Sequence, residues 1–278
     1  MKHFEFDWLG SDDVVFYGQG WEPEAVKAVV CLVHGMGEHS GRYAHVADFF
    51  GRLGYALIGF DLRGHGLSGG QRGHLRAFDD HLDDVSVLLD EAARRYPAKP
   101  LFLYGHSMGG LVVLNHALRR RPPVLAVIAT SAGLRTPFRE NHVLVAMDKL
   151  LASVFGSMTI PTGLDPHLLS RDPEVVMAYE ADPLVHGLAT LSMAKQSFAA
   201  IDYALAHAAE FPLPLLLVHG TADSLVFARG SEEFAARTPR ATLKLWDGLY
   251  HEVHNEPEKE TVLADIARWM DGQLKPDS

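Results

Sequence analysis

The stretch LFLYGHSMGGLVV, residues 101–113, holds one serine between Gly105 and Gly109, directly after a short apolar run and at the start of a helical pattern from Met108 to Arg120. Gly105-His106-Ser107-Met108-Gly109 fits G-x-S-x-G, and a buried strand before it with a helix after it is the context that gives this pattern meaning. A serine on so tight a strand-to-helix turn sits in strained backbone with its hydroxyl thrust outward, while the flanking glycines leave room for neighbouring chain. The helix start offers unpaired N–H groups and a positive dipole end where negative charge gathers during acyl transfer. The competing reading is a Gly-Ser turn without chemistry.

Outward from this stretch, short apolar runs alternate with amphipathic segments, the signature of a parallel sheet with crossover helices. AVVCLV (28–33), YALIGF (55–60), LFLY (101–104), VLAVIAT (124–130), LLLVHG (215–220) and ATLKLW (241–246) read as strands. Tyr43, Val46, Ala47 and Phe50 mark one helix face; Phe78, Leu82, Val85, Leu88 and Leu89 mark another. A last helix runs from Glu258 to about Leu274. Before all of these, HFEFDW and DVVFY alternate around the Gly10-Ser11-Asp12 turn as a hairpin.

From residue 132 to about 206 the strand pattern stops, and helical pieces are separated by Pro161, Pro166, Pro173 and Pro183. The expected fold is therefore α/β, with a mostly parallel central sheet flanked by helices and a helical cap inserted after the sixth strand. Residues 1–131 and 207–278 form the core and 132–206 the cap. Leu144, Val145, Leu150, Leu151, Val154, Phe155, Met158 and Ile160 make the inserted segment unusually apolar. Either it packs on the core or it lines a channel for an acyl chain.

The chain has 278 residues, 47% of them hydrophobic, enough for one core with a subdomain. No apolar run approaches the roughly 20 residues of a membrane helix, and the N-terminus lacks the apolar centre of a signal peptide. A cytoplasmic location is expected. Cys31, the single cysteine, lies inside AVVCLV and reads as a small buried hydrophobe. A formal charge of −10 argues against capture of nucleic acid.

A serine hydroxyl is a weak nucleophile near neutrality and needs a base, with a carboxylate to fix that base's tautomer. In this topology both follow on later strand ends, in the order Ser, acid, His. LLLVHG runs into Thr221-Ala222-Asp223, and ATLKLW runs into Asp247-Gly248-Leu249-Tyr250-His251. Asp223 is the natural acid, with Asp247 as the alternative. His251 is the natural base; His254 sits three residues on, and His34, His65 and His106 also fall at strand ends. An oxyanion needs at least two fixed N–H donors. One is Met108, directly after the serine; the second belongs to His34-Gly35-Met36-Gly37, where Met36 is best placed.

With these residues in place, the chain resembles monoacylglycerol lipases and lysophospholipase-like serine hydrolases of the α/β-hydrolase superfamily. The matching stretches are HGMGEHSGRY (34–43), DLRGHGLSGG (61–70), GHSMGG (105–110), LLSRDPEVVMAYEADPL (168–184), HGTADSLV (219–226) and LYHEVHNE (249–256). The resemblance implies Ser107, Asp223 and His251 as the catalytic triad and Met36 and Met108 as the oxyanion donors. It further implies Glu38, Arg42, His106, His254 and Tyr179 on the glycerol side of the pocket and Leu164 as an apolar gate. For each of these the plainer reading is a structural hydrogen bond or a packing contact.

The expected activity is hydrolysis of glycerol esters through an acyl-enzyme, without metal or cofactor. Lysophospholipase and broad carboxylesterase activity share this machinery, as does hydrolysis of carbon–carbon bonds beside a ketone. A binding protein that keeps only the fold is the rival from another class. An apolar outer face of the cap between Leu134 and Ile160 would give peripheral contact with membranes or micelles.

Overall fold

The structure, a computed structural model, describes residues 1–10, 12–141 and 155–274. Ser11 of the expected first turn lies outside the described residues, as do Leu144, Val145, Leu150, Leu151 and Val154 of the apolar inserted stretch. Strands β1 (Lys2–Leu9) and β2 (Val15–Glu22) form the expected hairpin, in register from Lys2 opposite Glu22 to Leu9 opposite Val15. There follow β3 (Ala28–Val33), α1 (Ala44–Arg52), β4 (Tyr55–Phe60), α2 (Phe78–Arg95), β5 (Leu101–His106), α3 (Met108–Arg120) and β6 (Ala126–Thr130). The inserted region carries α4 (Pro137–Glu140), β7 (Thr159–Pro161), α5 (Pro173–Ala181), β8 (Leu188–Thr190) and α6 (Leu191–Ala206). The chain then returns through β9 (Leu215–Gly220), α7 (Arg229–Arg237), β10 (Ala241–Trp246) and α8 (Lys259–Gln273).

Eight strands make one sheet in the order β1-β2-β4-β3-β5-β6-β9-β10. The hairpin and the β2–β4 pair are antiparallel, and every pair from β4 to β10 is parallel. A parallel strand covered on both faces must be apolar throughout, which is why AVVCLV is buried at all six positions. Val29, Cys31 and Val33 join Leu82 and Val85 of α2 and Leu111 and Leu114 of α3 in one core layer. Ala28, Val30 and Leu32 face the other, with Val46 and Phe50 of α1 and Val262 and Ile266 of α8. The two layers come from the period-2 alternation of strand side chains, met on each side by helices whose apolar residues recur every three to four positions.

Two features of the inserted region depart from the sequence pattern, which predicts no strand there. β7 and β8 pair antiparallel, Thr159 opposite Thr190 and Pro161 opposite Leu188. Three residues with a terminal proline are too few for periodicity to register. In addition, Met193, Phe198, Ile201 and Leu205 of α6 belong to the first core layer. The last helix of the insertion thus also serves the sheet as a crossover. Among the described residues no helix is long and apolar enough to cross a membrane.

Candidate active site

β5 delivers Ser107 to the C-terminal edge of the sheet, between the strand and α3. Its backbone sits at φ 53° and ψ −115°, a strained region for a residue with a side chain. The turn is held from three sides: the Ser107 N–H donates to Thr130 O at 2.9 Å, and its carbonyl accepts from Leu111 N at 3.1 Å and Gly133 N at 2.9 Å. Gly109 has to be glycine for steric reasons. A Cβ there would stand 2.1 Å from Val33 O and 2.4 Å from His34 O, so the first turn of α3 can rest on the end of β3 only without a side chain.

β9 and β10 bring Asp223 and His251 to the same edge. His251 Nδ1 donates to Asp223 Oδ2 at 2.7 Å, which leaves the other ring nitrogen, Nε2, as the basic one. The His251 loop is pinned to the β6 end by Ser131, whose hydroxyl donates to His251 O at 2.6 Å. Thr130 and Ser131 therefore hold the serine turn with one residue and the histidine loop with the next. Asp223 Oδ1 accepts from Leu225 N and Val226 N, both at 2.9 Å, and Oδ2 also accepts from His219 Nε2 at 3.1 Å. Asp247, the alternative acid, is exposed and accepts from Thr221 Oγ1 at 3.1 Å, the position of a turn residue.

Burial disfavours the charged form of the Asp223 carboxyl, but the imidazoles of His251 and His219 outweigh it and hold the group below the ordinary carboxylate range. Burial also opposes a proton on His251. The Asp223 charge and hydrogen bond overcome that, and Glu252 and Glu38 add to them, so this imidazole is raised above its ordinary value.

The loop after β3 packs directly against the serine. A Cβ on Gly35 would lie 3.2 Å from Ser107 Cβ and 2.8 Å from Glu38 Oε1, so a small side chain's width separates the Glu38 carboxylate from the serine. Glu38 Oε1 accepts from Gly35 N at 2.6 Å and Tyr43 Oη at 2.8 Å, and Oε2 accepts from Arg42 at 2.8 Å. Arg42 also donates through Nη1 and Nη2 to Glu252 at 2.6 and 2.8 Å, and its guanidinium lies over the Tyr179 ring, 4.8 Å from the centroid. Burial pushes the Glu252 carboxyl up, yet Arg42 outweighs it and brings the group down to about 2.

Among the described residues no acceptor takes the Met36 N–H, and Met108 opens α3, where helix N–H groups lack intrahelical partners. The remaining histidines divide by their contacts. His106 Nδ1 is 3.0 Å from Thr130 Oγ1 and its ring centroid is 4.8 Å from that of His251. His254 is fully buried, stacked at 4.8 Å on Tyr43 and edge-on at 4.7 Å to His106, with no hydrogen-bond partner on either nitrogen among the described residues. His34 accepts from Leu62 N at 2.9 Å and donates to Gly35 O at 2.7 Å, and His65 Nδ1 is 2.9 Å from Arg63 O. These are the structural hydrogen bonds that strand-end histidines can form. Leu164 is half-buried in the turn after β7, its N–H on Thr162 Oγ1.

Sequence reasoning missed three residues: His219, Ser131 and Glu252. His219 and Glu252 lie inside stretches already singled out, HGTADSLV and LYHEVHNE, but nothing in the local pattern shows what either side chain reaches.

The sequence profile described as serine aminopeptidase, S33 (Hydrolase_4) matches residues 24–258. The chain belongs to this family. Among other proteins similar to this S33 member, a monoacylglycerol lipase of Mycolicibacterium smegmatis is 38% identical over 91% of the chain and 92% of its own length. An uncharacterized abhydrolase domain-containing protein of Dictyostelium discoideum is 37% identical over 96% of the chain, which spans only 29% of that larger protein. In structure, the S33 member matches a Paleococcus ferrophilus monoacylglycerol lipase with a TM-score of 0.85 at 31% identity, over 93% of this chain and 99% of the other. The mostly parallel sheet expected from the strand pattern is present, and the α/β-hydrolase fold that the resemblance implied agrees with this structural match.

Proposed function

We propose that the protein hydrolyses carboxylic esters of glycerol, monoacylglycerols foremost, to free fatty acid and glycerol. The observation that carries the chemistry is the Asp223–His251 pair, which leaves a basic imidazole nitrogen at the sheet edge that also presents the strained Ser107. His251 takes the Ser107 proton as Oγ attacks the ester carbonyl, and the N–H groups of Met36 and Met108 hold the oxyanion. His251 then protonates the departing glycerol oxygen. Water repeats the cycle and releases the acid, while Asp223 stays ionised throughout.

The alcohol side is read from Arg42. Its single charge is outnumbered by the carboxylates of Glu38 and Glu252, so this side suits a neutral polyol better than a phosphate. Glu38, Arg42, His106, His254 and Tyr179 are assigned to this side, the last three through ring packing, and Leu164 to the acyl entrance. Residues 132–206 act as the cap, with α6 doubling as a crossover of the core. Phe155 and Met158, both exposed, are proposed to touch a lipid interface from a cytoplasmic enzyme. Leu134 takes no part in such a face, because it is fully buried.

A fluorophosphonate probe tests the nucleophile. Wild type should be labelled stoichiometrically and Ser107→Ala not at all. Labelling of a folded Ser107→Ala protein would end the proposal.

A further inference from the structure

Glu252 follows His251 directly, and its carboxylate takes its hydrogen bonds from Arg42 and Asn255 rather than from the imidazole. Glu252 is almost fully buried, and its oxygens accept two Arg42 hydrogen bonds, at 2.6 and 2.8 Å, and one from Asn255 Nδ2 at 2.7 Å. Its backbone N–H donates to Leu169 O at 2.8 Å, so both ends of the residue are fixed. Arg42 passes the constraint on to Glu38, and Glu38 accepts the Gly35 N–H at 2.6 Å, beside Ser107. A continuous path of short, charge-assisted hydrogen bonds thus joins the histidine loop to the 34–38 loop.

We propose that Glu252 is a positioning residue of the reaction, acting through Arg42 to fix the His251 loop relative to the Gly35–Glu38 loop against the serine. The inference rests on the hydrolase reading above. The base His251 and the oxyanion donor Met36 come from loops more than 200 residues apart in sequence, Arg42 and Glu252 being separated by 210 positions, and need a common anchor. A misplacement of about 1 Å between such groups costs around 10²-fold in rate. The charge has a second effect. The carboxylates facing His251 are Asp223, Glu252 and Glu38; the other ionisable neighbours are His106, His254, His219 and Arg42. Removing the Glu252 charge takes away one of the three groups that favour the imidazolium.

The test compares wild type, Glu252→Gln and Arg42→Lys on a soluble short-chain p-nitrophenyl ester. Rates are taken per fluorophosphonate-titrated site, with kcat, KM and the pH profile measured beside thermal unfolding. Glu252→Gln should lose about tenfold or more in kcat with KM within about twofold, and its acid limb should move to lower pH. Arg42→Lys keeps both charges but loses the planar fork, so it should lose kcat while its acid limb stays in place. A lowered melting temperature with unchanged kcat per site and an unmoved acid limb would reduce Glu252 to a structural role and overturn the proposal. If Glu252→Gln does not fold, Arg42→Lys decides alone: unchanged kcat overturns the proposal and a loss supports it. Wild type that the probe does not label would instead refute the serine mechanism itself, an outcome separate from either result on Glu252.

Discussion

His219 donates to Oδ2 of Asp223 at 3.1 Å, the same oxygen that accepts from His251 at 2.7 Å. His219 is completely buried, and its Nε2 also lies 2.9 Å from Val226 O; with acceptors alone on that side the proton sits on Nε2, and Nδ1 accepts from the Ser231 hydroxyl at 2.8 Å. With Leu225 N and Val226 N on the other oxygen, Asp223 is surrounded by four N–H donors.

That arrangement makes Asp223→Asn a severe change. An amide –NH₂ in place of either oxygen would meet only donors, so His219 or His251 must turn or the other tautomer must form. The expected loss in kcat is about 10⁴-fold, with circular dichroism close to wild type. A loss below about tenfold would contradict the role given to Asp223.

In the proposed mechanism His251 must carry no proton on Nε2. Since Asp223 overcomes burial and raises this imidazole, the acid limb of kcat/KM should have its midpoint above the ordinary value of about 6.5. Rate should therefore already be falling as pH drops through 7 toward 6.5. A profile flat from pH 8 to 6 would contradict the Asp223–His251 assignment.

His81 sets a pH dependence of stability rather than of rate. It is fully buried with no hydrogen-bond partner on either nitrogen among the described residues, and burial first, then Arg63 and His34, push it down to about 3. Between that value and about 6.5 the unfolded chain binds a proton that the folded chain refuses. Stability therefore falls with falling pH, by up to about 1.4 kcal/mol per unit for this group. His81→Phe should flatten the stability profile between pH 4 and 6.5 by about 1 kcal/mol per unit, measured by urea unfolding. An unchanged slope would show that His81 is not a source of acid sensitivity.

Gly35→Ala probes the loop beside the serine. The new methyl would press on Glu38 Oε1 at 2.8 Å and Ser107 Cβ at 3.2 Å, displacing the segment that carries the Met36 N–H. kcat should fall by about 10²-fold, the cost of losing one oxyanion donor, while the melting temperature changes by only a few degrees. Full activity would remove Met36 from the oxyanion site.

What was legible in the sequence follows from what is local. Ser107 announces itself because strand, turn and helix are contiguous, and Asp223 and His251 because each falls in the short loop that follows its strand, β9 ending at Gly220 and β10 at Trp246. Continuous apolar runs marked the parallel strands, since burial on both faces leaves no alternation to read. The partners that fix the site were not legible. Ser131 meets His251 across 120 positions, and Glu252 meets Arg42 across 210, contacts that no spacing rule encodes. The strands β7 and β8 escaped notice for the opposite reason, being too short to carry a period.

The most direct test of the central claim is the turnover of a monoacylglycerol, the matching diacylglycerol and a lysophospholipid by wild type and Ser107→Ala. Wild type should prefer the monoacylglycerol, because the Arg42 charge is already outnumbered by Glu38 and Glu252 and so is poorly placed to receive a phosphate, and Ser107→Ala should lose at least about 10⁴-fold on it. Equal serine-dependent turnover of all three would contradict the glycerol pocket, and turnover that survives Ser107→Ala would contradict the mechanism.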